Sequence, residues 1–116
     1  MDLNQAIQKH AEWKYKFRNS MHSNSSLDAE AISKDNNCDF GKWLHGEARQ
    51  TLGGHRSYAA CVAEHAAFHR AAAEVARAVN AKKAEQVEKL MAPGSGFAES
   101  SKKVSVALIE LQNASR

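Results

Sequence analysis

Four side chains able to bind one metal ion stand in three short patches of this 116-residue chain. His10 opens His10-Ala11-Glu12-Trp13. Cys38 opens Cys38-Asp39-Phe40-Gly41-Lys42-Trp43. His65 and His69 bracket His65-Ala66-Ala67-Phe68-His69. Three imidazoles and one thiolate form a His₃Cys set. Such a set suits zinc, which takes nitrogen and sulfur donors in a tetrahedron with no geometric demand from its d electrons. A fold that assembles these donors has to bring three distant segments to one point, so both architecture and function would be built around the ion.

The rest of the pattern is helical. The chain has one proline, Pro93, and no strand-like alternation. Leu3, Ala6, His10, Trp13, Phe17 and Met21 recur at three- and four-residue steps, the face of a helix from about Asp2 to about His22 with Asp2 as its N-cap. Asn24-Ser25-Ser26 ends it. Leu27 to Asn37 carries a turn or two of helix followed by the turn residues Asp35-Asn36-Asn37. Asp39 is placed to cap a short helix from Phe40 to about Ala48, with Gly41 letting the backbone pass close to a neighbouring helix. After Gly53-Gly54, a long helix runs from about His55 to about Val79. Its apolar face holds Tyr58, Cys61, Val62, His65, Phe68, His69, Ala72, Val75, Ala76 and Val79. Further helices follow from about Lys82 to Met91 and, beyond Pro93-Gly94-Ser95-Gly96, from about Phe97 to Asn113.

The fold class expected is therefore all-α. It is an antiparallel four-helix-type bundle with a short extra helix and the zinc site in its core. Residues 1–116 make one domain. Apolar residues are 43% of the chain, but many are alanine. The core is thin and would gain from a metal staple or a partner chain.

Composition also excludes function classes. Sixteen basic and 13 acidic residues are mixed along the chain, with no basic run of the kind that binds nucleic acid. No stretch approaches the roughly eighteen apolar residues of a membrane span. Two cysteines and the absence of a leader-like N-terminus favour a reducing cytoplasm, where Cys38 is a thiol or a metal thiolate.

Each donor taken singly has an ordinary explanation. His65 and His69 at i and i+4 share a helix face, which brings both imidazoles within reach of one ion, but histidines at that spacing are more often plain core or surface residues. His10 on an apolar face and Cys38 before a Phe-Gly-x-Trp turn also read as core residues. Together they read differently, since buried unpaired imidazoles are costly and an ion would satisfy all of them at once. Trp13, Trp43 and Phe68 are candidates to wall the site from water. Asp39 and His45 lie near Cys38 and either could tune its pKa, though exposed and inert is the simpler reading. Cys61, one turn before His65, is either a plain buried cysteine or a resolving partner for oxidised Cys38. His22 and His55 fall at helix ends.

The three patches in this order, with His-x-x-aromatic, Cys-x-apolar-Gly-x-aromatic and His-x-x-x-His separated by two gaps of twenty-odd residues, resemble the chemoreceptor zinc-binding (CZB) domain family. The tail from Phe97, with Ser100, Ser101, Val104, Leu108 and Leu111, is similar to that family's last helix. The resemblance implies a helical bundle, usually a homodimer, that regulates a larger bacterial signalling protein such as a chemotaxis receptor or a diguanylate cyclase. It implies that His10, Cys38, His65 and His69 are the ligands of Zn²⁺. It also implies either that Cys38 senses oxidants such as hypochlorous acid or that zinc itself is the signal.

An enzyme is not expected. Catalytic zinc sites keep one position for water, whereas four donors close this one. Ala66 stands where a His-Glu-x-x-His motif has its glutamate, leaving only Glu12 and Glu64 as bases. A third reading is a metal-free helical dimerisation module in which the histidines and tryptophans are ordinary core.

Overall fold

A computed structural model describes residues 1–115 and is built of helices, with no strand among the described residues. Helix α1 (Leu3–Ala11) begins at Asp2, whose carboxylate accepts the Gln5 N–H at 3.1 Å. α2 (Trp13–Ser23) follows directly. The single helix expected over this stretch is broken at Glu12, whose N–H is shared between the carbonyls of Gln8 and His10. The break has a local cause. The His10 ring donates its Nδ1–H to the Ala6 carbonyl at 2.7 Å, and side chains that bond a carbonyl one turn back loosen and bend the helix there. Asn24 closes α2 in the left-handed conformation, φ 59°, which asparagine tolerates better than most residues.

The chain then crosses over through three short helices, α3 (Ala29–Ser33), α4 (Asp39–His45) and α5 (Glu47–Leu52). The helix expected from Phe40 to Ala48 is divided at Gly46, and the residue that caps α4 is Cys38 rather than Asp39. The Cys38 sulfur accepts the Gly41 N–H at 3.3 Å, and Asp39 belongs to the first turn. α6 (Arg56–Asn80) is the long helix, α7 (Ala84–Met91) is short, and α8 (Gly96–Ala114) is capped by Ser95, whose hydroxyl accepts the Ala98 N–H.

Three long columns result: α1 with α2, α6, and α8. Gln112 bonds Asn4 and Phe97 meets Phe17, so α8 runs antiparallel to α1–α2. His10 meets His65, and Asn80 grips both backbone groups of Leu27 at 2.7–2.8 Å, so α1–α2 runs in the same sense as α6. Two neighbouring columns of the same sense need a crossover, and residues 24–55 provide it. The fourth side of the expected bundle is thus made of short helices, with α3 packed on α6.

The core follows the expected α6 face. Cys61, His65, Phe68, Ala72, Val75, Ala76 and Val79 are fully buried there, joined by Phe17, Leu44, Val104, Leu108 and Leu111. Val62 and Met21 are only half-buried.

Gly41 has a structural role, though not against a neighbouring helix. A Cβ built on it would lie 1.8 Å from the Asp35 carbonyl oxygen, so it is the loop of its own crossover that presses on α4. Backbone cannot yield as a flexible side chain does. Gly41→Ala is expected to lower stability by about 1–3 kcal/mol, the usual cost of overpacking, in urea denaturation. Wild-type stability in that variant would contradict this packing.

Candidate metal centre

The crossover brings the cysteine to the histidines. Tyr58 donates its buried hydroxyl to the Leu44 carbonyl at 3.0 Å, tying α4 to α6. His45 and Asp35 pair at 2.8 Å, closing the loop that precedes Cys38 over α4. Asn37 bonds the Ala31 carbonyl. His45 is therefore a clasp of the crossover rather than an inert surface residue, whereas Asp39 is exposed.

Among the described residues, one atom each from His10, Cys38, His65 and His69 all fall within 4.8 Å of one another, a group that could hold a metal ion. His65 Nε2 lies 3.1 Å from His10 Nε2, 3.0 Å from His69 Nε2 and 3.5 Å from Cys38 Sγ. Sγ lies 3.8 Å from His69 Nε2. Donors around a tetrahedral zinc, at the ordinary Zn–N and Zn–S lengths, stand roughly 3.3 Å apart for nitrogen pairs and roughly 3.6 Å for nitrogen with sulfur. The observed cluster has that scale.

Hydrogen bonding tests whether a cation fits. The Nδ1 atoms of His10 and His69 approach carbonyl oxygens, Ala6 at 2.7 Å and Ile32 at 2.8 Å. A carbonyl only accepts, so both rings carry their hydrogen on Nδ1 and turn a bare Nε2 lone pair inward. These carbonyls are the outer supports that orient metal-binding imidazoles. His65 differs, because its Nδ1 is buried with no hydrogen-bond partner. A hydrogen on His65 Nε2 satisfies one facing lone pair and no more. A divalent cation satisfies all three nitrogens and the sulfur, so the residues present fit zinc.

Burial prepares the imidazoles. His10, His65 and His69 are at most 5% exposed. Desolvation is the main cause that lowers their pKa values, to about 4 for His10 and about 2 for His65, with a shift in the same direction for His69. All three are neutral at pH 7, the form that ligates. Burial also pushes the Cys38 thiol up, outweighing the backbone N–H groups of Gly41, Cys38 and Phe40 that favour the thiolate; the Asp39 charge pushes it the same way as burial. Cys61 is fully buried and burial drives its thiol to about 12, which makes it inert as a nucleophile at neutral pH.

Of the aromatic walls expected, Phe68 is in place, with its ring 5.4 Å from His10 and 5.7 Å from His69. The other wall is Phe40, 5.0 Å from His65 and 5.8 Å from His10. Trp13 and Trp43 are half-buried and stack on Phe17 and Phe40 instead. Phe40 was visible only as the apolar position two residues after the cysteine. Ala6 stands one turn before His10 and could have been inferred, but nothing in the sequence marks the Ile32 carbonyl. Neither Glu12 nor Glu64 brings a carboxylate into the cluster.

A family model described as the chemoreceptor zinc-binding domain matches residues 10–76. The match begins at the first donor histidine, contains all four donors and ends inside α6. The tail from Phe97 lies beyond it. No curated protein and no solved structure matches the chain.

Two pH effects follow. Histidines with folded pKa values below the unfolded value of 6.5 leave the unfolded chain binding more protons than the folded one. The stability of the metal-free protein is therefore full above pH 6.5 and falls as pH drops towards 4, by up to about 1.4 kcal/mol per pH unit for each histidine. Denaturation midpoints at pH 7.5 and 5 check the sign, and a midpoint that rises on acidification would contradict it. With the imidazoles already neutral, zinc binding at pH 7 should release one proton, that of the thiol. Calorimetry in buffers of different ionisation enthalpy measures this number.

Proposed function

Because the chain belongs to the chemoreceptor zinc-binding domain family, we propose that it is a zinc-holding regulatory module of a larger bacterial signalling protein, a chemotaxis receptor or a diguanylate cyclase. In this reading, His10, Cys38, His65 and His69 are the ligands, and the Cys38 sulfur is the oxidant-sensing atom. The observation that carries the proposal is the convergence of three inward imidazole nitrogens on one partly exposed sulfur. The family is regulatory rather than catalytic, and a closed set of four protein donors agrees with that. Among the described residues, no helix is long and apolar enough to cross a membrane. We place the module in the cytoplasm.

When bound, a divalent ion supplies the charge that keeps Cys38 a thiolate at neutral pH, against the upward push of burial. The sulfur's electron pair attacks the chlorine of hypochlorous acid; an S–Cl bond forms and hydroxide leaves. Water then displaces chloride, giving the sulfenic acid and a proton. Sulfur has lost two electrons, and the resulting group is a poorer ligand.

Cys38 is also the cap of α4, so the crossover segment loses two attachments when its sulfur is oxidised. Asn80 still holds the start of that segment at Leu27, and within α4 only the Tyr58 bond to the Leu44 carbonyl and the Asp35–His45 pair remain. The change is therefore expected between residues 38 and 48. The homodimer implied by the family is part of the proposal. Val106 and Ile109, 54% and 46% exposed on α8, are apolar side chains available to a second copy.

One observation favours a second reading, a zinc-level sensor without redox chemistry. The donors come from three segments, so filling the site alone would fasten the crossover.

Zinc per chain by mass spectrometry is expected to be one for the wild type and to fall on treatment with hypochlorous acid. Cys38→Ser should hold zinc more weakly and be insensitive to the oxidant. Near-zero zinc in protein purified without chelator would instead mean a metal-free bundle. Hydrogen exchange then separates the two sensor readings: faster exchange in residues 38–48 after oxidation supports redox sensing. Unchanged exchange there, with an increase on zinc removal alone, supports the zinc-level sensor.

A further inference from the structure

A cleft of about 430 Å³ reaches the cluster from one side. Of the four donors, only His10 and Cys38 line it, so it leads to the sulfur and not to the buried His65 and His69. One wall comes from the α1–α2 column with Lys9, Trp13 and Lys16, and the other from the crossover with Asp39. Asp2 also lines the cleft, and the Gln5 N–H that its carboxylate accepts leaves its charge in place, so two carboxylates, Asp2 and Asp39, stand there with the two lysines.

Lys16 is an exposed lysine oriented by one contact. Its ammonium sits over the Trp13 ring, 4.5 Å from the centroid, a cation–π contact that holds the charge in place. Lys16 and Cys38 line the same cleft, which is the geometric link between this cation and the sulfur. The half-buried tryptophan thus contacts a cation that lines the same cleft as Cys38.

We propose that Lys16, steadied by Trp13, is a specificity residue that favours small anionic electrophiles over neutral ones in their approach to the Cys38 sulfur. This rests on the reading of Cys38 as the reactive group. Hypochlorous acid and hydrogen peroxide both react as neutral molecules, so the class this cation selects is an electrophile that bears a separate anionic group, such as a carboxylate beside the reactive carbon. The physics is local steering, in which a fixed charge beside a low-dielectric cleft raises the concentration of the opposite charge at its entrance.

Iodoacetate and iodoacetamide test this cleanly. They are nearly the same size and react identically: the sulfur's electron pair displaces iodide, an S–C bond forms and the C–I bond breaks. Only one of them is charged. The ratio of their rate constants at Cys38, read by peptide mass spectrometry on the zinc-loaded protein, reports the charge at the mouth and cancels general changes in thiol reactivity. In Lys16→Gln, the ratio of iodoacetate to iodoacetamide should fall by about threefold, the Coulomb factor for one unit charge several ångströms away in water. Trp13→Leu should move it in the same direction by less.

Lys14→Gln changes the net charge equally, but Lys14 lies over Tyr15 outside the cleft, and its ratio should stay at the wild-type value. An unchanged ratio in Lys16→Gln, or an equal fall in Lys14→Gln, overturns the assignment of Lys16 while leaving the Cys38 reading intact. Failure of both reagents to label wild-type Cys38 overturns the reactive-cysteine reading and this inference with it.

Discussion

Three imidazole nitrogens and a sulfur lie within 4.8 Å of one another, and electron pairs gathered so closely in a protein core are best satisfied by a positive charge among them. Two of the rings cannot turn away, because their Nδ1–H groups are committed to the Ala6 and Ile32 carbonyls. The third has no alternative partner for its outward nitrogen. This electrostatic requirement organises the rest of the molecule. It explains why α1 breaks just after His10, why α6 carries two buried histidines on an otherwise apolar stripe, and why a loop must be folded back to deliver the cysteine.

The columns and the crossover divide the work. The histidines stand on α1 and α6, whose positions are fixed by burial of Phe17, Phe68, Val75 and their neighbours. The cysteine stands at the head of a seven-residue helix that has almost no core of its own beyond Phe40 and Leu44. That helix is held by discrete attachments: the Tyr58 hydroxyl, the Asp35–His45 pair, the close backbone contact at Gly41 and the sulfur itself. Elements secured by a few polar contacts open at lower free energy than packed helices. A sulfur placed on such an element is held less firmly than the histidines on α1 and α6.

Much of this was legible in the sequence, because the spacing of apolar residues on α6 and α8 and the order of the three donor patches both depend on local helical geometry. What escaped was set by tertiary contacts. The break at Glu12 depends on the His10 ring bonding back to Ala6. Capping by Cys38 in place of Asp39 depends on the sulfur facing the Gly41 N–H, and a cysteine is not an ordinary cap. Gly41 was expected to face another helix, whereas the crowding comes from Asp35 six residues earlier. Phe40 and Phe68 wall the site, while Trp13 packs on Phe17 and Trp43 on Phe40, a division of aromatic roles that depends on how the columns meet. The His45 clasp needed Asp35 to be brought round by a turn that no spacing rule encodes.

X-ray absorption at the zinc edge addresses the coordination directly, since nitrogen and sulfur neighbours differ in distance and in scattering. The account predicts a first shell of three nitrogens at about 2.0 Å and a single sulfur at about 2.3 Å, with the sulfur contribution lost in Cys38→Ser. Outer-shell imidazole scattering that accounts for fewer than three rings, or a shell with no sulfur in the wild-type protein, would contradict it.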